Sequence, residues 1–532
     1  MSRAPDLAAQ ARDLRAAAAA LAASLHAVAR TQTTPACDRA VLRLFGVAGL
    51  DRAGRPLAAE VVDRFGAGGP AGPWGDIGLP FAVAAAEYGL TPAELAQDVA
   101  AGNIDLRLEA ELLADRGRRA QAEALIGAWV AGAWERFDAQ RTARQELLGL
   151  LGETPLPRFG LELAGLRAGE VAAAVRGVVA GGADLLQVPV PVDRELRRGL
   201  GEDVDRQGAD EDPAVAPAGS QRGLALVRAA TDEAAAEAGR YVQLATRSVG
   251  LSEPEQAIVA GFERIDAVFT DPLEAVVDYG VDPARALADH AFAVGLLERT
   301  GATLVLGPGP LAVAPEMTRG EPPDQATRLG RSLALQALAV ELTRCASLPD
   351  ERIAIAGLSR EPFQGPTGLL QGFVELALRM LAFPAHALVL EEPPAADGDP
   401  AWSIALTAWL GAGTAPAILL GRRNTLAAAQ AVGAMRGAAA AAAALVSVRG
   451  AGAPEGEAAT LAGQALAAGL ATIRGLASDG WEGLLVSPPV VGRQAASAAD
   501  EHAAGARQAA MVIVPRAYLG LPAAPGPATL RR

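Results

Sequence analysis

"PRFGLELAGLRAGEVAAAVRGVVAGGADLLQVPV", Pro157 to Val190, holds two short apolar runs, "PRFGLEL" and "DLLQVPV", on either side of "AGEVAAAVRGVVAGG". The runs have the length of strands, and the segment between them repeats its valines at helical spacing. A helix of that length carries the chain back over a sheet, so the two strands it joins run parallel.

The alternation continues through "RYVQLAT", "IDAVFTD", "TLVLGPG", "RIAIAGL", "HALVLEE" and "PAILLGR", which brings the strand-like runs to eight. Helix patterns such as "DPARALADHAFAVGLLERTG" and "DQATRLGRSLALQALAVELTRCASL" lie between them. Eight repeats within residues 151–449 predict an α/β fold of the (β/α)8 TIM-barrel type, whose usual length is about 250 residues or more. The segment after the second run, "RRGLGEDVDRQGADEDPAVAPAGSQ", is acidic and poor in apolar residues, and is expected to be a mobile loop over the barrel's top.

On either side the rhythm is different. Residues 1–150 are expected to form a helical N-terminal region, carried by "DLRAAAAALAASLHAVAR" and "AELLADRGRRAQAEALIGAWVAGAWERF" and broken by "FGAGGPAGPWGD". Residues 450–532 are expected to be a helical C-terminal extension, "GEAATLAGQALAAGLATIRGLA", and a proline-containing tail.

Composition narrows the function. The net charge of −14 opposes binding to nucleic acid or anionic membranes. No apolar run reaches the roughly 18 residues of a membrane span, and "MSRAPDLAAQARDLR" has charges where a signal peptide is apolar, so a cytoplasmic protein is expected. Cys37 and Cys345 stand alone, which predicts neither a disulfide framework nor a thiolate metal site. All basic residues are arginine; the sequence contains no lysine, so no lysine amine is available for covalent chemistry.

One motif points to a cofactor and is set aside. "ADEHAAGAR", Ala499 to Arg507, spells the Asp-x-His-x-x-Gly of a cobalamin-ligand loop through Asp500, His502 and Gly505. A B12 domain needs on the order of a hundred residues after such a loop. Only 27 follow Gly505, and no strand precedes Asp500, so His502 is expected to lie on a solvated segment.

The segment "TQTTPACDRAVLRLFGVAGLDRAGRPLAAEVVDRF", Thr31 to Phe65, resembles the N-terminal signature of the large (alpha) subunit of the D-lysine 5,6-aminomutase family. The likeness continues in "YGLTPAELAQDVAAGNIDL", "ERIDAVFTDPLEAVV" and "AFPAHALVLEEPPAADGD", and places about 30 to 490 on the family in order. It implies a TIM-barrel subunit of an isomerase that uses adenosylcobalamin and pyridoxal phosphate for a radical 1,2-amino shift on lysine or a related amino acid. It also implies a hetero-oligomer, in which a small beta subunit supplies the B12 domain and the lysine that holds pyridoxal phosphate at rest. Such a partner accounts for the missing lysine and the missing B12 domain.

The residues expected to touch pyridoxal phosphate depart from the family's pattern. Where the family cradles the phosphate after the second strand, this chain reads "QVPVPVDREL", with no arginine before Arg194. After the third strand Val249 takes the place of a hydroxyl, leaving the adjacent Ser248. Glu274 stands in place of a ring-stacking tyrosine, and "LGPGPLAV" lacks an acid for the substrate amine.

Candidates therefore come from position at strand ends. For the cofactor they are Arg247, Ser248, Arg422, Arg423 and Asn424, the last three joining two guanidinium groups to a helix-capping residue. For a substrate ammonium they are Glu391 and Glu392. Asp271, Ser359 and Arg360 also fall at strand ends, whereas His26, His290 and His386 do not read as catalytic. Two functions stay open: the barrel subunit of an active aminomutase, or a non-catalytic or repurposed relative that binds a ligand or assembles with a partner.

Overall fold

The computed structural model describes residues 6–49, 51, 56–66, 77–163, 166, 168–189, 221–247, 253–277, 283–307, 324–357, 365–391, 417–421, 430, 432–440, 456–480 and 514–515. Eight parallel strands close into one barrel in sequence order: β2 (Arg158–Glu162), β3 (Leu185–Pro189), β4 (Gln243–Arg247), β5 (Ala267–Thr270), β6 (Thr303–Leu306), β7 (Ile353–Ala356), β8 (Ala387–Glu391) and β9 (Ala417–Gly421). The barrel shuts where Phe159 pairs with Leu419 and Leu161 with Gly421. Each of the eight apolar runs read from the sequence supplies one of these strands.

Strand alternation sorts the side chains into two cores. Leu185, Ala245, Phe269, Val305, Val389 and Leu420 fill the barrel, while their chain neighbours Leu186, Leu244, Val268, Leu304, Leu388 and Leu419 pack outward under the helices. Gly160 is small because it must be: a Cβ there would lie 2.9 Å from Leu185 Cδ2 and 3.0 Å from Leu420 Cδ1.

Described helices of the outer ring are α8 (Val171–Ala180), α9 (Gln221–Ala238), α10 (Glu253–Phe262), α11 (Glu274–Val277), α12 (Pro283–Thr300), α13 (Gln325–Cys345), α14 (Gly365–Ala382) and α15 (432–440). At the barrel's N-terminal end arginines take up the carbonyls that finishing helices leave unpaired. Arg352 donates to Leu297, Glu298 and Ala302 carbonyls at the end of α12, and Arg240 to those of Val179 and Ala183 after α8.

The N-terminal region begins with α1 (Leu7–Ala29) and β1 (Gln32–Thr33), then α2 (Pro35–Leu44), α3 (Leu57–Gly66), α4 (Gly78–Tyr88), α5 (Pro92–Ala101) and α6 (Leu106–Ala110). It ends in the 36-residue α7 (Arg116–Leu151). Thr91 and Glu94 form a capping box that starts α5, and Gly102, at φ +80°, ends it. The region is joined to the barrel by buried polar contacts. Thr34 Oγ1 donates to Asp289 on α12, and Arg39 and Arg43 hold Glu255 on α10 at 2.7 and 2.8 Å.

The C-terminal helix α16 (Glu457–Asp479) packs on α13 and α1 and so belongs to the same outer layer. Glycines permit the contact: a Cβ on Gly330 would lie 2.3 Å from the Ala465 carbonyl oxygen, and one on Gly469 would lie 2.8 Å from that of Gly330. A two-residue strand, β10 (Val514–Pro515), pairs antiparallel with β1. Among the described residues no helix is long and apolar enough to cross a membrane.

Candidate active site at the barrel mouth

The C-terminal ends of the strands bring polar side chains into the barrel where the inward apolar rows stop. Glu162, two residues beyond Gly160, and Gln187, two beyond Leu185, continue the inward rows of β2 and β3. Arg247 and Glu391 continue those of β4 and β8 beyond Ala245 and Val389.

β4 and β8 lie on opposite sides of the eight-stranded ring, so their last residues face each other across the mouth. Arg247 Nη2 donates to Glu391 Oε1 at 2.6 Å, with the two side chains only 16% and 10% exposed. Arg247 Cζ also sits 5.1 Å from the centre of the Phe269 ring, a cation–π distance. A pair this far out of water keeps its charges only while both partners remain, because removing one strands the other in a poorly solvated site.

Gln187 lies one inward step deeper than the pair. It stands opposite Glu162 and Ala245 in the ladder, whereas Arg247 stands opposite Pro189. Its exposure is 0%, and neither its Oε1 nor its Nε2 has a hydrogen-bond partner. A buried amide left unpaired in this way costs on the order of 1–3 kcal/mol for each group.

Asp271 follows β5, and its carboxylate rests against Gly307, where a Cβ would lie 2.4 Å from Oδ2. Gln336, reaching in from α13, donates to the carbonyls of Gly307 at 2.9 Å and Ala356 at 3.0 Å. That contact fixes the ends of β6 and β7 relative to one another. Among its described residues the mouth holds three carboxylates, Glu162, Asp271 and Glu391, and one guanidinium, Arg247, which pairs with Glu391. It suits an ammonium group better than an anion.

This arrangement bears directly on the cofactors that the family resemblance implies. A pyridoxal phosphate site needs cationic or amide donors for its phosphate and an amine for its aldehyde. The described mouth places its one guanidinium on Glu391, and the sequence has no lysine, so the described residues do not fit that group. Among the described residues no cluster of three or more histidine, cysteine, aspartate or glutamate side chains could hold a metal ion.

The structure thus brings Arg247 and Glu391, read separately as cofactor and substrate candidates, into one pair. Ser248, Glu392, Arg422, Arg423 and Asn424, like Ser359, Arg360 and His502, lie outside the described residues, as does the acidic segment after the second strand. His290 is buried on α12, with Nδ1 2.7 Å from Glu253 Oε1 and Nε2 2.9 Å from Thr343 Oγ1, away from the mouth. His386 precedes β8 at the opposite end of the barrel, and burial pushes its imidazole below the ordinary value. His26 ends α1.

Glu162 and Gln187 were not singled out from the sequence as site residues, although each left a signal. Both are polar residues at the inward register of an otherwise apolar strand, in "PRFGLEL" and "DLLQVPV".

Residues 6–310 match the model of the family described as the D-lysine 5,6-aminomutase TIM-barrel domain of the alpha subunit. The lysine 5,6-aminomutase alpha subunit of Acetoanaerobium sticklandii is 27% identical over 284 residues, which cover 52% of this chain and 51% of that one. That of Fusobacterium nucleatum is 25% identical over 385 residues, covering 70% and 67%. The chain therefore spans about half the length of the first relative and about two thirds of the second. Among solved structures, a rubisco-like protein from Burkholderia fungorum is matched at a TM-score of 0.35 and 17% identity, over 60% of this chain and 68% of that one, which is too weak to bear on function. With more than half of its length on the family model and its eight strands closed into the barrel that the model names, the chain belongs to the D-lysine 5,6-aminomutase alpha-subunit family.

Proposed function

We propose that this chain is the substrate-binding barrel subunit of a two-subunit, aminomutase-type isomerase, and that its mouth takes an amino acid. The observation that carries the reading is the desolvated Arg247–Glu391 pair within an acidic mouth. A zwitterionic ligand can exchange the Arg247–Glu391 ion pair for two, its carboxylate on Arg247 and its ammonium on Glu391, without stranding either charge. Glu162 and Asp271 add to the attraction for amines.

Adenosylcobalamin and pyridoxal phosphate belong, in this reading, to a small partner subunit that provides the cobalt-ligating histidine and the lysine. Bound there, they supply the radical rearrangement chemistry; this chain orients the substrate and keeps water from it. Ser248, Arg422, Arg423 and Asn424 remain the proposed contacts to the cofactor's phosphate across the subunit boundary, and Glu392 a second carboxylate for the substrate. The acidity of the described mouth favours one alternative, a repurposed relative that has kept the barrel and the amine site for binding or assembly and lost the cofactor.

Both readings are tested by co-expressing the chain with a small B12-type subunit, adding pyridoxal phosphate and reducing with borohydride. The first predicts a pyridoxyl group on a partner lysine and none on an internal residue of this chain, since it has no lysine. A complex that forms, binds an amino acid and takes up no pyridoxyl label supports the second. Failure to bind any amino acid removes the mouth assignment from both.

A further inference from the structure

The feature of the mouth that the proposed function leaves unused is Gln187. Its amide is buried, points into the barrel and carries a donor and an acceptor with no partner. Neighbouring inward positions do not satisfy it: Ala245 and Leu185 are apolar, and Glu162, opposite it in the ladder, makes no hydrogen bond to it. A glutamine at this register is not explained by apolar packing either, because Leu185, Ala245, Phe269 and Leu420 around it form an apolar cluster that an amide does not join.

We propose that Gln187 recognises a carboxamide, and that the ligand of this mouth is an amino acid with an amide side chain, of which L-glutamine is the simplest long example. The inference rests on the reading of the mouth as an amino-acid site. An amide facing an amide forms two antiparallel hydrogen bonds, Nε2 donating to the ligand's carbonyl and Oε1 accepting from its N–H. A carboxylate side chain satisfies only the donor and adds a negative charge to a mouth that already holds Glu162, Asp271 and Glu391. An ammonium side chain satisfies only the acceptor, and an apolar one satisfies neither.

Depth agrees with this division of labour. Arg247 and Glu391 lie one step nearer the opening, where the charged end of an amino acid keeps some water, and Gln187 lies below them, where a neutral group loses least by burial.

The test is calorimetric titration of the full-length chain with L-glutamine, L-glutamate, L-methionine and L-lysine, repeated on Gln187→Met. Methionine and glutamate match glutamine in length, so the comparison isolates the amide. The expected result is that L-glutamine binds about tenfold or more tighter than each of the others. Gln187→Met should abolish its advantage over L-methionine and leave the affinity for L-methionine unchanged or improved. Replacing an unpaired buried amide by a thioether of similar volume should also raise the melting temperature, which shows that the variant folds. Amino acids that bind with no preference for L-glutamine, or a preference that survives Gln187→Met, overturn the carboxamide assignment alone. If none of the four binds the parent chain, the assignment falls together with the reading of the mouth on which it rests.

Discussion

Asp266 shows how much a single residue organises in this barrel. Its carboxylate accepts from Arg144 Nε at 2.8 Å, Arg228 Nη1 at 3.0 Å, the Tyr241 hydroxyl at 2.7 Å and the Leu244 amide at 2.8 Å, all buried at the N-terminal end of β5. Burial and the adjacent carboxylate hold the Tyr241 phenol well above its ordinary value, so it stays a donor. Asp266→Ala leaves two guanidinium groups without their shared counter-charge and should cost about 3–5 kcal/mol in urea unfolding. Asp266→Asn, which keeps an acceptor but no charge, should cost less. Glu391→Gln at the mouth leaves Arg247 without its counter-charge and should lower the melting temperature. Its distinguishing signature is a loss of about tenfold or more in affinity for L-lysine by calorimetry, because a neutral amide holds an ammonium poorly. An unchanged affinity would remove Glu391 from the site.

At the scale of elements, the strands were legible because a barrel strand is buried on both faces and stands out as a short apolar run between helices. "TLVLGPG" and "RIAIAGL" could hardly be anything else. The site was only partly legible. Position at a strand end pointed to Arg247 and to Glu391, but nothing in one dimension says that the third and seventh strands face each other, and so the two were read as serving different ligands. Gln187 and Glu162 needed the inward register, which alternation alone leaves undefined when both faces are apolar. Helix packing was hidden for a similar reason, since the alanine and glycine of "LAGQALAAGLA" read as helix filler until α16 meets α13. Gly330→Ala should force those helices apart, its Cβ meeting the Ala465 carbonyl oxygen. A loss of about 1–3 kcal/mol is expected, with faster hydrogen exchange confined to α16 and the facing turns of α13 and α1. Exchange that is unchanged in α16 would mean that the contact contributes nothing to holding it.

For the whole molecule, the helical region and the barrel share one apolar core, and the charged contacts that cross the seam between them respond to pH. Glu255 on α10 is 15% exposed and sits between Arg39 and Arg43 of α2. Burial alone would raise its carboxyl, but the two guanidinium charges outweigh burial and hold it at about 2, against an ordinary 4.5. A carboxyl depressed in the folded state stabilises fully above its unfolded value, and that contribution fades as pH falls from about 4.5 toward about 2. The difference corresponds to at most about 3 kcal/mol. Acid should therefore loosen the seam between α2 and α10 before the barrel itself fails, and the tryptophan signal of Trp129 and Trp134 on α7, which lies in the same helical region, should change at higher pH than the far-ultraviolet signal of the barrel helices. Glu255→Gln removes the titrating group, so its stability should be lower at neutral pH and flatter below pH 5. A variant whose stability falls with acid as steeply as that of the parent chain would show that the seam is not what acid releases.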